Sequence, residues 1–121
     1  MKPNPVTPAD IELFDQFMQQ WQEKLNLKDW RIIYNAKPAK NAMADVEISV
    51  PDHCAVYRIG AHFGMEEVSP FNIEATCCHE LLHVLLAEFR DMAEAKVAPE
   101  ILMAAEHRIV HTLERLLVLK K

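Results

Sequence analysis

The stretch from Pro70 to Arg90 constrains this chain more than any other. Read as a helix opened by Pro70 or Asn72, it carries Ile73, Cys77, Leu81, Leu82, Val84, Leu85, Leu86 and Phe89. It is apolar on nearly every side and belongs in the middle of a domain. His79-Glu80-Leu81-Leu82-His83 stands in its interior. Two histidines four apart on a helix share a face and can share a metal ion. Two imidazoles and a carboxylate among apolar neighbours are costly without partners, so the pattern points to a bound cation. Glu80, next to His79, points beside such an ion and not at it. That is the position of a general base that takes a proton from activated water.

A third ligand is expected on the last helix, which starts at Pro99 and Glu100 and ends near Leu119, with Lys120 and Lys121 at its negative end. Leu102, Ile109, Val110, Leu113 and Leu117 mark its apolar face. At ~100° per residue, Glu106 falls near the middle of that arc. A carboxylate at the centre of a buried stripe needs a charge to meet. Zn²⁺ would supply it; Arg31 and Arg58 are the competing partners. His107, ~100° further round, is the alternative third ligand, or a donor at the cleft edge. His111 lies further off the face and reads as solvated; His53 and His62 read as surface residues. The expected set is therefore His79, His83 and Glu106 around one zinc per chain, with Glu80 as base. Three protein ligands leave one tetrahedral position open, the mark of a catalytic site. Tyr57, Tyr34 and His107 are the candidates for a donor to an oxyanion.

The remaining segments read as a frame for these two helices. Met1 to Val6 is a proline-rich lead-in. Thr7-Pro8-Ala9-Asp10 is a helix start with a cap, a proline at the first position and an early acid. Ile11, Phe14, Met18, Trp21 and Leu25 follow at helical spacing, so a helix with one core-facing stripe is expected from Pro8 to about Leu25. Trp30 to Tyr34 is β-branched and aromatic, a first strand. Asp45 to Val50 alternates polar and apolar, a second strand with one wet face. Cys54 to Ile59 is a third, stopped by Gly60. Ala61 to Ser69 and Asp91 to Ala98 are links. Neighbouring strands with short connections predict a small antiparallel sheet covered by helices, an α+β domain.

The 121 residues are enough for one domain with a core, and the 50% hydrophobic content supplies it. Net charge is −5 and no Lys/Arg run exceeds the Lys120-Lys121 pair, so no nucleic-acid partner is expected. Cys54, Cys77 and Cys78 are odd in number and poorly spaced for a disulfide framework; they read as small buried hydrophobes in a reducing compartment. The Met1–Pro5 stretch has no apolar h-region, and Leu81 to Ala87 is far short of the ~20 residues a bilayer needs. A cytoplasmic location without membrane association follows as the expectation. With two glycines, Gly60 and Gly64, no glycine-rich phosphate loop is available.

His79-Glu80-Leu81-Leu82-His83, with Glu106 on a following helix and 22 residues between His83 and Glu106, resembles the zincin metallopeptidases of the gluzincin type. More closely, the layout resembles the minimal minigluzincin-like and small phage-encoded forms, over roughly residues 8–119. The metzincin pattern is excluded, because Leu86 and Phe89 occupy its glycine and third-histidine positions. SprT-like proteases place a third histidine soon after the motif and often add a basic part; neither is present unless His107 takes that role. The resemblance implies a zinc-dependent peptidase acting on a peptide or protein substrate. It implies His79, His83 and Glu106 as ligands and Glu80 as base. It also implies that the strand Cys54 to Ile59 rims the cleft and accepts a peptide as an added strand. Unlike in larger gluzincins, no second domain is expected to complete the cleft. A non-catalytic zincin-fold regulatory or assembly module with a structural zinc is the alternative.

Overall fold

The structure, a computed structural model, describes residues 4–118. Thr7 caps the first helix, α1 (Pro8–Lys24): its hydroxyl accepts from the Asp10 N–H at 3.3 Å, and its own N–H donates to the Asp10 carboxylate at 2.9 Å. The stripe predicted for α1 is buried through Phe14, Met18 and Trp21. Three strands follow, β1 (Arg31–Tyr34), β2 (Ala44–Ser49) and β3 (Cys54–Ile59), then α2 (Pro70–Leu85), α3 (Ala87–Glu94) and α4 (Pro99–Val118). The expected helix end at Leu119, the Lys120-Lys121 pair and the first three lead-in residues lie outside the described residues.

The sheet is mixed, not antiparallel. Its order is β1-β3-β2, with β2 antiparallel and β1 parallel to β3. The tight turn at Val50–His53 folds β2 back on β3, where the His53 N–H donates to the Val50 carbonyl at 3.1 Å. Residues 35–43 are long enough to carry the chain from β1 past the end of β3. The Ala39 N–H holds the Ile59 carbonyl at 3.1 Å on the way. Sequence neighbours thus sit on opposite sides of the middle strand, which has no free edge, whereas β2 does. Gly60 is required at the end of β3, because a Cβ there would stand 2.3 Å from the carbonyl oxygen of Ala42.

The predicted helix from Pro70 to Arg90 is broken. α2 stops at Leu85, Leu86 has φ −90° and ψ −1°, and α3 continues to Glu94. No proline or glycine announces this break. α2 runs through the domain, with Ile73, Cys77, Cys78, Leu81 and Leu82 sealed between α1, the sheet and α4. Cys54 is half-buried, and all three cysteines are free thiols. On the other side of α2, Trp21 Nε1 donates to Glu74 Oε2 at 2.9 Å, so even the first buried acid of α2 is matched. Ile73→Ala, at a site with no exposure, is expected to cost about 2–5 kcal/mol, read as a lower urea midpoint. That is a large share of the ~5–15 kcal/mol that holds such a domain together.

Candidate metal centre

Leu81 and Leu82 are fully buried in the core, which leaves His79 and His83 on the side of α2 that faces α4. Nε2 of His79 and Nε2 of His83 lie 3.3 Å apart. Each ring is held from behind by a carboxylate of α4: Nδ1 of His79 meets Glu114 Oε1 at 2.7 Å, and Nδ1 of His83 meets Glu106 Oε2. An ionised carboxylate only accepts, so each Nδ1 is assigned the proton, and each ring, when neutral, presents an Nε2 lone pair. Two such lone pairs at 3.3 Å are relieved either by a proton on one Nε2 or by a metal cation between them. Tetrahedral zinc, with Zn–N bonds of 2.0–2.1 Å, sets ligand nitrogens about 3.3–3.4 Å apart. The donor set and its spacing therefore fit a divalent metal.

Glu106 is buried, as its place in the α4 stripe predicts, at 6% exposure. Its partners are His83 and Arg90, not Arg31 or Arg58. Arg90 Nε lies 3.3 Å from Glu106 Oε1, and both atoms are sealed from solvent without a well-formed hydrogen bond. Arg58 instead makes a two-pronged pair with Asp45, at 2.9 and 2.8 Å. Two other members of the expected α4 face turn outward: Ile109 is 43% and Leu117 38% exposed. Leu102, Glu106 and Val110 form the buried line, with Leu113 beside it.

Among the described residues, the donor atoms of His79, His83 and His107 converge within 4.8 Å of one another. A second group, His79, His111 and Glu114, meets the same criterion. His111 is exposed, as expected, but its ring centre lies 5.0 Å from that of His79. The predicted third ligand and its neighbour thus divide the work: His107 stands with the two α2 histidines, and Glu106 stands behind one of them. Tyr57 and Tyr34 are not at this site. Their rings lie 5.3 Å apart in a tilted contact and line a cleft with Asp15 of α1. His53 is not free on the surface; it bridges Asp29 at 3.2 Å and Glu88 at 2.8 Å and stacks on Trp30.

Glu80 is 7% exposed and lines two clefts. One, of ≈ 440 Å³, is walled by Val46, Ile48, Val50, His83, Arg90 and Glu106. The other, of ≈ 330 Å³, is walled by Met43, Ala44, Phe71, Thr76, His79 and His111. The free strand β2 runs along both, so β2 is the rim and not Cys54–Ile59, which is locked in mid-sheet. Glu114, Arg90 and Asp45 were not nominated from sequence. For Glu114 a signal exists: His107, His111 and Glu114 follow one another at helical spacing on one face.

Burial raises the Glu80 carboxyl to about 7, against the pull of His79, with Asp45 and Glu114 adding to the rise. Burial disfavours the charged His79 ring, but the bond to Glu114 and the nearby Glu80 outweigh it and leave His79 raised. His83 is lowered by burial, in spite of Glu106. The Glu80 shift has a consequence for the metal-free protein. Between about pH 4.5 and 7 the unfolded chain has released the Glu80 proton and the folded one keeps it, so stability falls as pH rises through that window. Glu80→Gln removes this cost. It is expected to stabilise the chelator-treated protein by about 3 kcal/mol at pH 8 and by little at pH 4. Urea unfolding at both pH values checks this.

Among the described residues, no helix is long and apolar enough to cross a membrane. No family model, no curated protein and no solved structure matches the chain, so the chemistry of the site rests on its own geometry.

Proposed function

We propose that this protein is a zinc-dependent peptidase of minimal zincin-like design, built on the α2–α4 seam. The observation that carries the reading is the facing pair of Nε2 atoms on His79 and His83, each ring anchored from behind by an α4 carboxylate. Outer carboxylates that fix tautomer and orientation are what a metal-ligating histidine needs, and a purely polar contact between helices does not need them. His79, His83 and His107 would hold the ion, with Glu106 and Glu114 as orienting partners. Zinc bound there would polarise a carbonyl and acidify water.

The chain's own residues supply the rest. Among the described residues, Glu80 is the carboxylate that lines both clefts. Its burial keeps its basicity high, which suits a group that takes a proton from water on one oxygen and hands it to the leaving amine. The free edge of β2 offers backbone N–H and C=O groups to an extended peptide, which favours a peptide substrate over a compact small molecule. Val46, Ile48 and Val50 give that edge an apolar flank.

The direct test is metal content after native purification. About one zinc per chain is expected, and a chain that neither retains zinc nor takes it up on titration would sink the proposal. Hydrolysis of an unstructured protein such as casein, blocked by chelation and restored by zinc, checks the activity.

A further inference from the structure

We infer that His111 is a fourth, detachable ligand that closes the metal centre when no substrate occupies it. The inference rests on the metal reading above and adds a regulatory state to it. His107 and His111 are one turn apart on α4 and face His83 and His79 on α2, so four imidazoles form a ring across the seam. Their centres are 5.0 Å apart for His79–His83, 5.1 Å for His83–His107 and 5.0 Å for His79–His111. They are 6.0 Å apart for His107–His111 and 6.2 Å for His79–His107. Four imidazoles on one tetrahedral ion, with metal–nitrogen bonds of 2.0–2.1 Å, place ring centres about 5.2 Å apart. Three of the six pairs already match and two exceed the match by about 1 Å; the sixth, His83–His111, makes no ring contact, so His111 must turn toward the His79, His83 and His107 group to join it.

His107 and His111 differ from the α2 pair in a way that gives them different tasks. His79 and His83 are half-buried and clamped by Glu114 and Glu106. His107 and His111 are exposed. His111 stands at the mouth of the cleft formed with Met43, Phe71 and Thr76, on the solvent side of the centre. A ligand in that place excludes water from the ion while it is bound. Because it is exposed, it can also leave when an incoming carbonyl competes. The centre then alternates between four protein ligands, closed, and three with an open position.

Cobalt(II) as the metal alone, titrated into the full chain, separates the possibilities. His111→Ala is expected to bind Co²⁺ at least about tenfold more weakly than wild type. Its visible spectrum should shift with azide at concentrations that leave the wild-type spectrum unchanged. Equal affinity together with equal azide response in the two proteins would overturn the inference and leave the metal reading intact. Two Co²⁺ per wild-type chain would also overturn it, since His111 and Glu114 would then serve a separate ion. A wild-type chain that binds no Co²⁺, no better than His79→Ala, would overturn the metal reading itself. His111 is exposed, so its replacement leaves the core untouched, and an unchanged urea midpoint of the metal-free variant verifies this.

Discussion

Glu80→Gln is expected to abolish peptide hydrolysis while the zinc stays in place. The substitution keeps the side chain's size and removes its ability to accept a proton. A positioned general base contributes about 10²–10⁴-fold, so kcat should fall by roughly 10³, equivalent to about 4 kcal/mol of barrier. Glu80 touches neither Nδ1 nor Nε2 of the histidines in any hydrogen bond of the structure, so zinc stoichiometry should stay near one per chain. The metal-free variant should be more stable than wild type at neutral pH, for the reason given by the buried carboxyl. Those three results together separate an enzyme from a metal-stapled scaffold: a scaffold gains the stability and has no turnover to lose. The pH profile adds a sign. The rising limb of kcat/KM should reflect Glu80 ionising, at or below the value of about 7 it has without metal, because a nearby cation favours the carboxylate. That limb should vanish in the residual activity of Glu80→Gln. Hydrolysis that survives the substitution at the wild-type rate means that another group takes the proton.

The parts of this molecule that were legible in the chain are those written locally. The α1 cap is spelled by Thr7 and Asp10. The alternation from Asp45 onward marks β2 within one residue. The burial of Glu106 follows from the spacing of Leu102 and Val110 around it. The parts that were not legible are choices between long-range partners. Nothing in Arg31–Tyr34 states that it will pair with β3 and not β2, because a four-residue strand of β-branched and aromatic residues suits either neighbour. The turn at Val50–His53 decides the matter by claiming β3's other edge for β2. Glu114 and Arg90 look like solvated charges on their helices, and only the approach of α4 to α2 and α3 gives them His79 and Glu106 as partners. Glu106 and His107 are adjacent, and a rotation of α4 by one residue, ~100°, exchanges their roles. Helical periodicity names the buried arc to about that precision, so it could nominate the pair but not rank its members.

His107→Ala should therefore weaken zinc binding more than Glu106→Gln does. Apparent zinc affinities of about 10–16 kcal/mol spread over four ligands assign roughly 2.5–4 kcal/mol to each, a loss of about 10²–10³-fold for a residue that bonds the ion. A partner that only orients a ligand costs about 10–100-fold. The structure supports this order, because His107 shares a 4.8 Å group with both α2 histidines while Glu106 Oε2 meets the far side of the His83 ring. Two features of Glu106 call for a control. Its Oε1 is buried beside Arg90 Nε with no well-formed hydrogen bond, so its replacement leaves a buried guanidinium edge facing an amide, which costs stability of its own. Zinc affinity must therefore be compared with the urea midpoint of the metal-free variants, and Arg90→Met combined with Glu106→Gln removes the stranded charge. If the double variant regains the lost stability but still binds zinc only 10–100-fold more weakly than wild type, Glu106 acts through His83. If Glu106→Gln proves the more damaging change to zinc affinity, and His107→Ala is nearly silent, the carboxylate bonds the ion itself. His83 would then have to turn its Nδ1 away from Glu106 when metal enters, and the assignment of His79, His83 and Glu106 made from helical spacing would hold in place of the His107 set.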